Sequence, residues 1–192
     1  MCYHKELKAT PKELKEHFKA KFPLEEEYQP KELINGFEHP LCPIITDQNP
    51  GTIQLFQWGF VPHYEVNIKK GNTLNAVYET LDQRATYKNY TSQRCIIPVT
   101  GMYEWKTVGK YKEKKKYTIE NQYIFCLAGL WNSCTHPDTN QEIHSYTVIT
   151  KEGAAAILLD EKEWLMKGNI LINSNEIIKH LTPPQLDIFG SL

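Results

Sequence analysis

The sequence of 192 residues has no long apolar run and no apolar core of a signal peptide near its start. A membrane-spanning helix needs about 18–20 consecutive apolar residues. A signal peptide needs a shorter apolar stretch behind basic residues, and the segment 1–6 is polar. We therefore expect a cytoplasmic protein without a membrane segment.

Cysteine and histidine patterns typical of metal sites are also missing. The five cysteines are an odd number and include no C-x-x-C, which argues against a disulfide framework and against structural zinc. The seven histidines are scattered and show no H-E-x-x-H or similar signature. We therefore predict no metal.

A strong excess of one charge is absent too, since the formal net charge is −1. A DNA contact would then need a local basic surface, because affinity depends on the phosphates that a surface neutralises. Hydrophobic residues make up 41% and charged residues 23%, as in ordinary globular proteins. The length fits one domain over residues 1–192.

Several segments have the start or stop signals of helices. Thr10 can cap a helix that has Pro11 in its first position and Glu13 closing a capping box. Asp160 offers cap chemistry to a second helix, which would end near Gly168. The other predicted helical segments are 174–178, capped by Ser174, and 77–90.

Strand-like segments are concentrated in the middle of the chain. A polar connection that contains Gly109 separates two of them and suggests a hairpin. With helices around these strands, we predict an α+β fold with an antiparallel or mixed sheet. A closed or half-closed barrel is compatible with this pattern but does not follow from it. The predicted strands are 52–58, 94–99, 102–106, 116–120, 123–131 and 143–150.

Cys2 lies one residue from the start of the sequence. If Met1 is removed, Cys2 has a free α-amine beside its thiol. Their reference pKa values are about 7.7–8.0 and about 8.5, so both are partly nucleophilic near neutrality. Such an aminothiol condenses with an aldehyde to an imine, and the thiolate then closes a thiazolidine ring. The alternative is an ordinary frayed terminus without chemistry.

Glu104 and Asn75 are two further candidates. Glu104 stands between Tyr103 and Trp105 on a predicted strand, where burial would suit general acid/base work. The period of two also fits an exposed Glu104 with both aromatic neighbours on the other face. Asn75 can donate and accept together and so orient an amine or a carbonyl. Its alternative role is a helix cap.

Nucleic-acid contacts are expected from Trp58, Arg84 and Arg94. Trp58 could stack on a base, although a single tryptophan also fits a core position. The two arginines flank the segments of the preceding candidates and could contact phosphates. We interpret the basic run 110–116 as a solvated hairpin tip, with phosphate contact as the alternative.

Several motifs occur together in one order. Their ordered set, over roughly residues 1–150, resembles the SOS-response-associated peptidase (SRAP) family, also called abasic site processing proteins. The motifs are Met-Cys at the start, Trp-Gly-Phe-Val-Pro at 58–62, Asn-Ala-Val-Tyr-Glu-Thr at 75–80, the segment 94–106 with Gly-Met-Tyr-Glu-Trp-Lys, and Ala-Gly-Leu-Trp at 128–131.

The resemblance implies a function. Family members lose the initiator Met by autopeptidase self-cleavage or through an aminopeptidase. The exposed Cys then crosslinks, in a lyase-like reaction, to the aldehyde of an abasic site in single-stranded DNA. The resulting thiazolidine shields the lesion. The family roles carry over to Cys2 as nucleophile, Asn75 as orienting group and Glu104 as acid/base. Single-stranded DNA is the implied partner of a monomer without cofactor.

Three features depart from the family pattern. Val77 stands where the family has a basic residue, in a pattern like N-A-R-x-E-T, and His4 stands where Arg is common. The family also carries a His before Arg-Met-Pro, after the strand that ends here near Thr150, and this chain has neither. The segment is either truly shortened or incomplete in the given sequence, and its three consecutive alanines suggest the second. We do not assign the role to His144 or His180.

Two alternative functions remain open at this point. One is an amidohydrolase that uses Cys2 as an N-terminal nucleophile on amide substrates, with no role for DNA. The other is a DNA-binding module that has lost crosslinking, which the missing His and Val77 would explain.

Overall fold

The computed structural model describes residues 1–64, 73–108, 110–166 and 178–180. These residues form two β-sheets with short helices beside them. Helices α1 and α2 span Pro11–Phe18 and Glu161–Met166, and 3₁₀ helices span Glu25–Glu27, Gly36–Glu38 and Tyr78–Thr80. The strands are β1 His4–Leu7, β2 Lys31–Asn35, β3 Leu41–Thr46, β4 Gln54–Trp58, β5 Asn75–Val77, β6 Arg94–Val99, β7 Gly101–Val108, β8 Tyr111–Tyr117, β9 Phe125–Thr135, β10 Glu142–Lys151, β11 Ala154–Leu158 and β12 Ile178–His180.

The smaller sheet has the order β2-β1-β7-β8. Strand β1 pairs antiparallel with both neighbours, and His4 lies opposite Tyr103 of β7. Strands β7 and β8 form an antiparallel hairpin around position 109, which confirms the predicted hairpin. The basic run 110–116 lies mainly in strand β8, so its interpretation as a hairpin tip was wrong.

The larger sheet has the order β12-β11-β9-β6-β3-β4-β10-β5. It is mixed, because β4 and β5 run parallel to β10 while the other pairs are antiparallel. An additional pairing of β9 with β10 closes the strands β9, β6, β3, β4 and β10 into a ring. The predicted α+β class with a mixed sheet is confirmed, and this closure gives it the barrel form.

Both helix starts follow the predicted cap chemistry. In α1 the Glu13 amide donates to Thr10 Oγ1 at 3.3 Å, and the Thr10 amide donates to Glu13 Oε2 at 2.7 Å. Before α2, Asp160 Oδ1 accepts from the Glu163 amide at 2.8 Å. Each cap satisfies an amide that has no partner within the helix. Gly168, the predicted end of α2, lies outside the described residues.

The predicted helix over 77–90 is wrong. The chain instead continues from β5 through the 3₁₀ helix Tyr78–Thr80 into a series of turns. Strand β5 pairs with β10, and the rings of Tyr87 and Tyr90 pack edge-on against Phe60. These tertiary contacts outweigh the local helix preference of the segment.

The predicted helix 174–178 is contradicted at its end. Ile178 begins strand β12 and pairs with Leu158 of β11. The predicted cap Ser174 lies outside the described residues. A strand here extends the larger sheet, which a helical turn at the same place would not do.

One hydrophobic cluster runs from Cys2 to Trp164 and includes residues of both sheets. The sheets meet where Lys5 of β1 reaches Tyr146 of β10. That residues 1–192 form one domain stays a prediction. None of the helices in the described ranges is long and apolar enough to cross a membrane.

Candidate functional site

The first residues lie against both sheets. Strand β1 holds the start of the chain in the smaller sheet, and Cys2 is only 3% exposed. Its backbone amide donates to Asn75 Oδ1 at 3.0 Å, and its Sγ lies 3.9 Å from the His4 carbonyl oxygen. A frayed terminus would have none of these contacts, so that alternative was wrong.

Asn75 is positioned by the larger sheet. It begins β5 opposite Val148 of β10, and its carbonyl oxygen accepts from the Tyr87 hydroxyl at 3.1 Å. The helix-cap alternative for Asn75 is therefore wrong, because the residue is in a strand. Its side-chain Nδ2 is buried and has no hydrogen-bond partner among the described residues. Asn75 thus accepts from Cys2 and keeps a free buried donor.

Glu104 lies on β7, the strand next to β1. Strand alternation places it on the face of the buried Met102, which pairs with Lys5. Tyr103 and Trp105 are on the opposite face, where Trp105 is 50% exposed. The structure therefore puts Glu104 on the inner face, partly buried, and contradicts the alternative in which it faces only solvent.

The electrostatics of Cys2 reflect these neighbours. Burial raises the pKa of its thiol to about 11, while Lys5 and the N-terminal ammonium lower it and Glu104 raises it further. While Met1 is attached, the thiol is therefore protonated at neutral pH. The structure thus joins Cys2 to Asn75 by a hydrogen bond, and Glu104 on the inner face of β7 is one of the charges that act on the Cys2 thiol.

The connection between β10 and β11 contacts the start of the chain. It is a turn with Glu152 and Gly153 at φ values of 51° and 82°, the left-handed pair typical of a two-residue hairpin. The N-terminal ammonium of Met1 donates a hydrogen bond to the Gly153 carbonyl oxygen. The Glu152 amide donates to Glu79 Oε1 at 2.7 Å. The segment where the family pattern has its His is thus a tight turn in this chain.

Neither histidine considered for the missing role is assigned to the site. His144 lies on β10, with Nδ1 2.6 Å from Ser133 Oγ and its ring stacked on Phe56. His180 lies on β12, beyond β11, and only its backbone is described.

Two of the three residues predicted to contact DNA are buried. Trp58 is 0% exposed, donates its indole N–H to the Leu74 carbonyl oxygen at 3.0 Å and stacks on Tyr146. Arg94 is buried with its guanidinium over Trp164. Both predictions were wrong, because the fold buries these side chains: Trp58 packs against Tyr146 of β10, and Arg94 packs against Trp164 of α2. Arg84 is exposed, so its predicted contact stays a prediction.

An exposed aromatic surface beside Cys2 was missed by the sequence reasoning. Tyr3 stacks on Phe37 at 5.0 Å, and His4 meets Trp105 edge-on at 6.1 Å. Phe37 is 56% exposed, and Lys114 of β8 lies over Tyr103 on the same sheet. We call these residues the aromatic face. Its members come from four separate segments, so no local pattern reveals them.

His4 occupies the position where the family commonly has Arg. Burial lowers the pKa of its imidazole, and the ammonium of Lys114 lowers it further, although Glu38 acts in the opposite direction. The ring is therefore neutral near pH 7, so it offers an apolar surface rather than a positive charge.

Metal-binding side chains are not clustered in the described part of the chain. No group of three or more His, Cys, Asp or Glu residues there is arranged to hold an ion.

Comparisons with known proteins agree on one family. The model of the SOS response associated peptidase (SRAP) family matches residues 1–159. Two abasic site processing proteins of Bacillus subtilis (strain 168) are similar: YoqW is 31% identical over 160 residues, 76% of this chain and 70% of YoqW. YoaM is 29% identical over 159 residues, 74% of this chain and 69% of YoaM. The fold resembles a crystal structure of a Bacteroides thetaiotaomicron protein, with TM-score 0.84 and 24% identity over 97% of this chain and 90% of that one.

Proposed function

Since the chain belongs to the SOS response associated peptidase (SRAP) family, we propose that it processes abasic sites in DNA. After Met1 is removed, Cys2 forms a covalent thiazolidine with the aldehyde of an abasic site in single-stranded DNA. The observation that supports the proposal is the 3.0 Å hydrogen bond between the Cys2 nitrogen and Asn75 Oδ1, with Glu104 partly buried on β7, the strand next to β1.

The reaction balances with the loss of one water. The α-amine of Cys2 attacks the aldehyde carbon, and water leaves as the imine forms. The thiol then adds across the imine: sulfur bonds to the carbon, and the thiol proton ends on nitrogen. Glu104 is the group that relays these protons, as a positioned carboxylate does in general acid/base catalysis.

Asn75 has two functions in this scheme. Its Oδ1 already accepts a hydrogen bond from the Cys2 nitrogen at 3.0 Å, so it orients the nucleophile. Its unpartnered Nδ2 is a donor for an oxygen of the ring-opened sugar. Holding amine, thiol and aldehyde together supplies the proximity that lowers the entropic part of the barrier.

The aromatic face is the proposed binding surface for single-stranded DNA. Phe37 and Trp105 are both about half exposed, and His4, the partner of Trp105, lies two residues after Cys2. Bases stack on such rings with about 1–3 kcal/mol each, without sequence preference. Lysines of β8, with Lys114 nearest, are positioned to contact phosphates. These contacts replace those predicted for Trp58 and Arg94.

Removal of Met1 is a required step. While Met1 is present, the Cys2 nitrogen is an amide and cannot form an imine. The exposed Met1 side chain is open to cleavage, whether by self-cleavage or by an aminopeptidase.

A denaturing gel tests the proposal. Protein without Met1 is incubated with a single-stranded oligonucleotide that carries one abasic site. We expect a shifted band for the wild type and for Cys134→Ala, whose thiol lies on β9 away from the N-terminus, but none for Cys2→Ala. A wild type that shifts no oligonucleotide contradicts the proposal. Thiol-dependent turnover of small amides in that case favours the amidohydrolase alternative.

A further inference from the structure

Lys5 is a buried charge that the proposed reaction does not use. Its side chain is fully buried, and Nζ donates to the Tyr146 hydroxyl at 2.8 Å. The same Nζ lies 5.1 Å from the ring centroids of Trp58 and Tyr146. No carboxylate in the described ranges forms an ion pair with it.

Burying the Lys5 ammonium in this way lowers the stability of the fold. Lysine is almost never fully buried unless it is paired, and an ammonium without a counter-ion loses its hydration. The two aromatic faces and the hydroxyl offset part of that cost. A methionine would fill a similar volume without any such cost. A residue type this unfavourable in a core points to a role for its charge.

Lys5 belongs to β1, the strand that begins two residues after the proposed nucleophile. Lys5 is three residues after Cys2 and opposite Met102, on the inner face that also carries Glu104. Tyr146, its hydrogen-bond partner, belongs to β10, the strand that pairs with the segment of Asn75. Lys5 is therefore held where the two sheets meet, beside the site that binds the Cys2 nitrogen.

We propose that Lys5 is a positioning residue whose ammonium stabilises the Cys2 thiolate as the thiazolidine ring closes. Trp58 and Tyr146 hold the ammonium in place. When the ring closes, the thiol loses its proton, sulfur bonds to the imine carbon and the nitrogen gains a proton; Lys5 keeps its own protons throughout. The ring-closure step rests on the proposed function, whereas the effect on the thiol does not involve DNA.

The groups that face this pair define the expected pH dependence. Around Cys2 these are Lys5, the N-terminal ammonium and Glu104, and Lys5 is the strongest influence that opposes burial. Around Lys5 they are the Tyr146 hydroxyl, which is itself next to the buried Cys42 thiol, and the buried Cys95 thiol. Burial raises the pKa of Tyr146 and of Cys95 well above the usual values, so both stay neutral near pH 7. In the proposal, Lys5 supplies the positive charge on the inner face.

Alkylation of the thiol tests this role without DNA. Protein lacking Met1 reacts with iodoacetamide over a series of pH values, and mass spectrometry quantifies alkylation on the peptide 2–6 released by cleavage after Glu6. We expect Lys5→Met to react about tenfold more slowly near neutral pH and to reach its plateau at higher pH, since one pKa unit is a tenfold change in thiolate fraction. Lys5→Arg should restore most of the rate. The exposed Lys12→Met is the matched control and should equal the wild type.

Superposable pH profiles for wild type and a folded Lys5→Met would overturn the proposal. If thermal unfolding shows that Lys5→Met does not fold, Tyr146→Phe decides, because it removes only the hydroxyl that holds the ammonium. A slower Cys2 alkylation in Tyr146→Phe supports the role, and an unchanged rate overturns it. A wild type that fails to crosslink DNA while Lys5→Met still slows alkylation contradicts the proposed function but not the role of Lys5.

Discussion

The backbone nitrogen of Cys2 and Oδ1 of Asn75 are joined by a 3.0 Å hydrogen bond across 73 positions of sequence. The bond connects the start of the smaller sheet with an edge strand of the larger sheet. It fixes the nitrogen that becomes the α-amine once Met1 leaves. The proposed nucleophile is therefore oriented before any substrate binds, which is the condition for an effective intramolecular rate.

Replacing Asn75 by Ala should slow crosslinking about tenfold. The substitution removes the acceptor for the Cys2 nitrogen and the free Nδ2 donor, and one such hydrogen bond is worth about 1–1.5 kcal/mol. The measurement is the rate at which the shifted band forms on a denaturing gel. Asn121→Ala, in an exposed turn, is the control and should keep the wild-type rate. Equal rates for both variants would exclude an orienting role for Asn75.

Replacing Glu104 by Gln should lower the crosslinking rate by about 100-fold. The amide keeps the shape of the side chain but cannot relay protons, and general acid/base catalysis is typically worth about 10²–10⁴-fold. Single-turnover time courses at several pH values measure the effect. The exposed Glu120→Gln should leave the rate unchanged. A Glu104→Gln protein with the full rate would mean that water supplies the protons.

Substitutions of two tryptophans should distinguish a residue that stabilises the fold from a residue that binds DNA. Trp58→Ala should cost about 3–5 kcal/mol of unfolding free energy, because it empties a fully buried position. Trp105→Ala should leave stability nearly unchanged and weaken binding of undamaged single-stranded DNA about tenfold, through the loss of one stacking surface. Denaturant unfolding and fluorescence anisotropy measure the two quantities. If Trp58→Ala instead weakened DNA binding and left stability nearly unchanged, the sequence-based expectation that Trp58 stacks on a base would hold.

The sequence predicts the local features of this fold better than it predicts the contacts between distant segments. The caps at Thr10 and Asp160 depend on residues three positions apart, and both form as expected. The segment 77–90 was misread, because its structure is decided by pairing with β10 and by packing on Phe60. Neither partner is near it in sequence.

Gly129→Ala should destabilise the barrel strongly. A Cβ at this position would lie 2.6 Å from Ile97 Cδ1 and 2.8 Å from the Thr147 carbonyl oxygen, so the backbone of β9 or β10 would have to move. Overpacking of this kind costs about 1–3 kcal/mol or more. Gly51→Ala is the matched control, since a Cβ there meets nothing within 4 Å. Thermal unfolding should show a lower midpoint only for Gly129→Ala, and equal midpoints would show that the strands can separate freely.

The Cys2 thiol should become more reactive when Met1 leaves. With Met1 attached, burial raises the thiol pKa to about 11, so alkylation should keep rising up to that pH. A free α-ammonium on Cys2 itself adds a closer positive charge, which favours the thiolate and lowers the pKa. Iodoacetamide alkylation of the processed protein should therefore be faster than that of an N-terminally extended variant below about pH 8, where the α-amine keeps its proton. Equal rates for both forms in that pH range would contradict this influence of the terminus.

The members of the candidate site were proposed from the sequence, but their surroundings were not. Cys2, Asn75 and Glu104 were named from their chemistry and their family order, and the structure joins the first two by a hydrogen bond and has Glu104 partly buried on the strand next to β1. Trp58 and Arg94 were misassigned, because a sequence shows which side chains can stack or bind phosphate but not which face of a closed barrel they occupy. Nothing in the sequence indicated that Lys5 is buried near the site, since lysine is usually a surface residue.

Intact mass spectrometry of the protein incubated with an abasic oligonucleotide tests the central claim most directly. A species with the mass of the chain lacking Met1 plus the oligonucleotide minus one water is the predicted result, and it should be absent from Cys2→Ala. A protein that keeps Met1, or that loses Met1 and yet forms no species of that mass, would contradict the account.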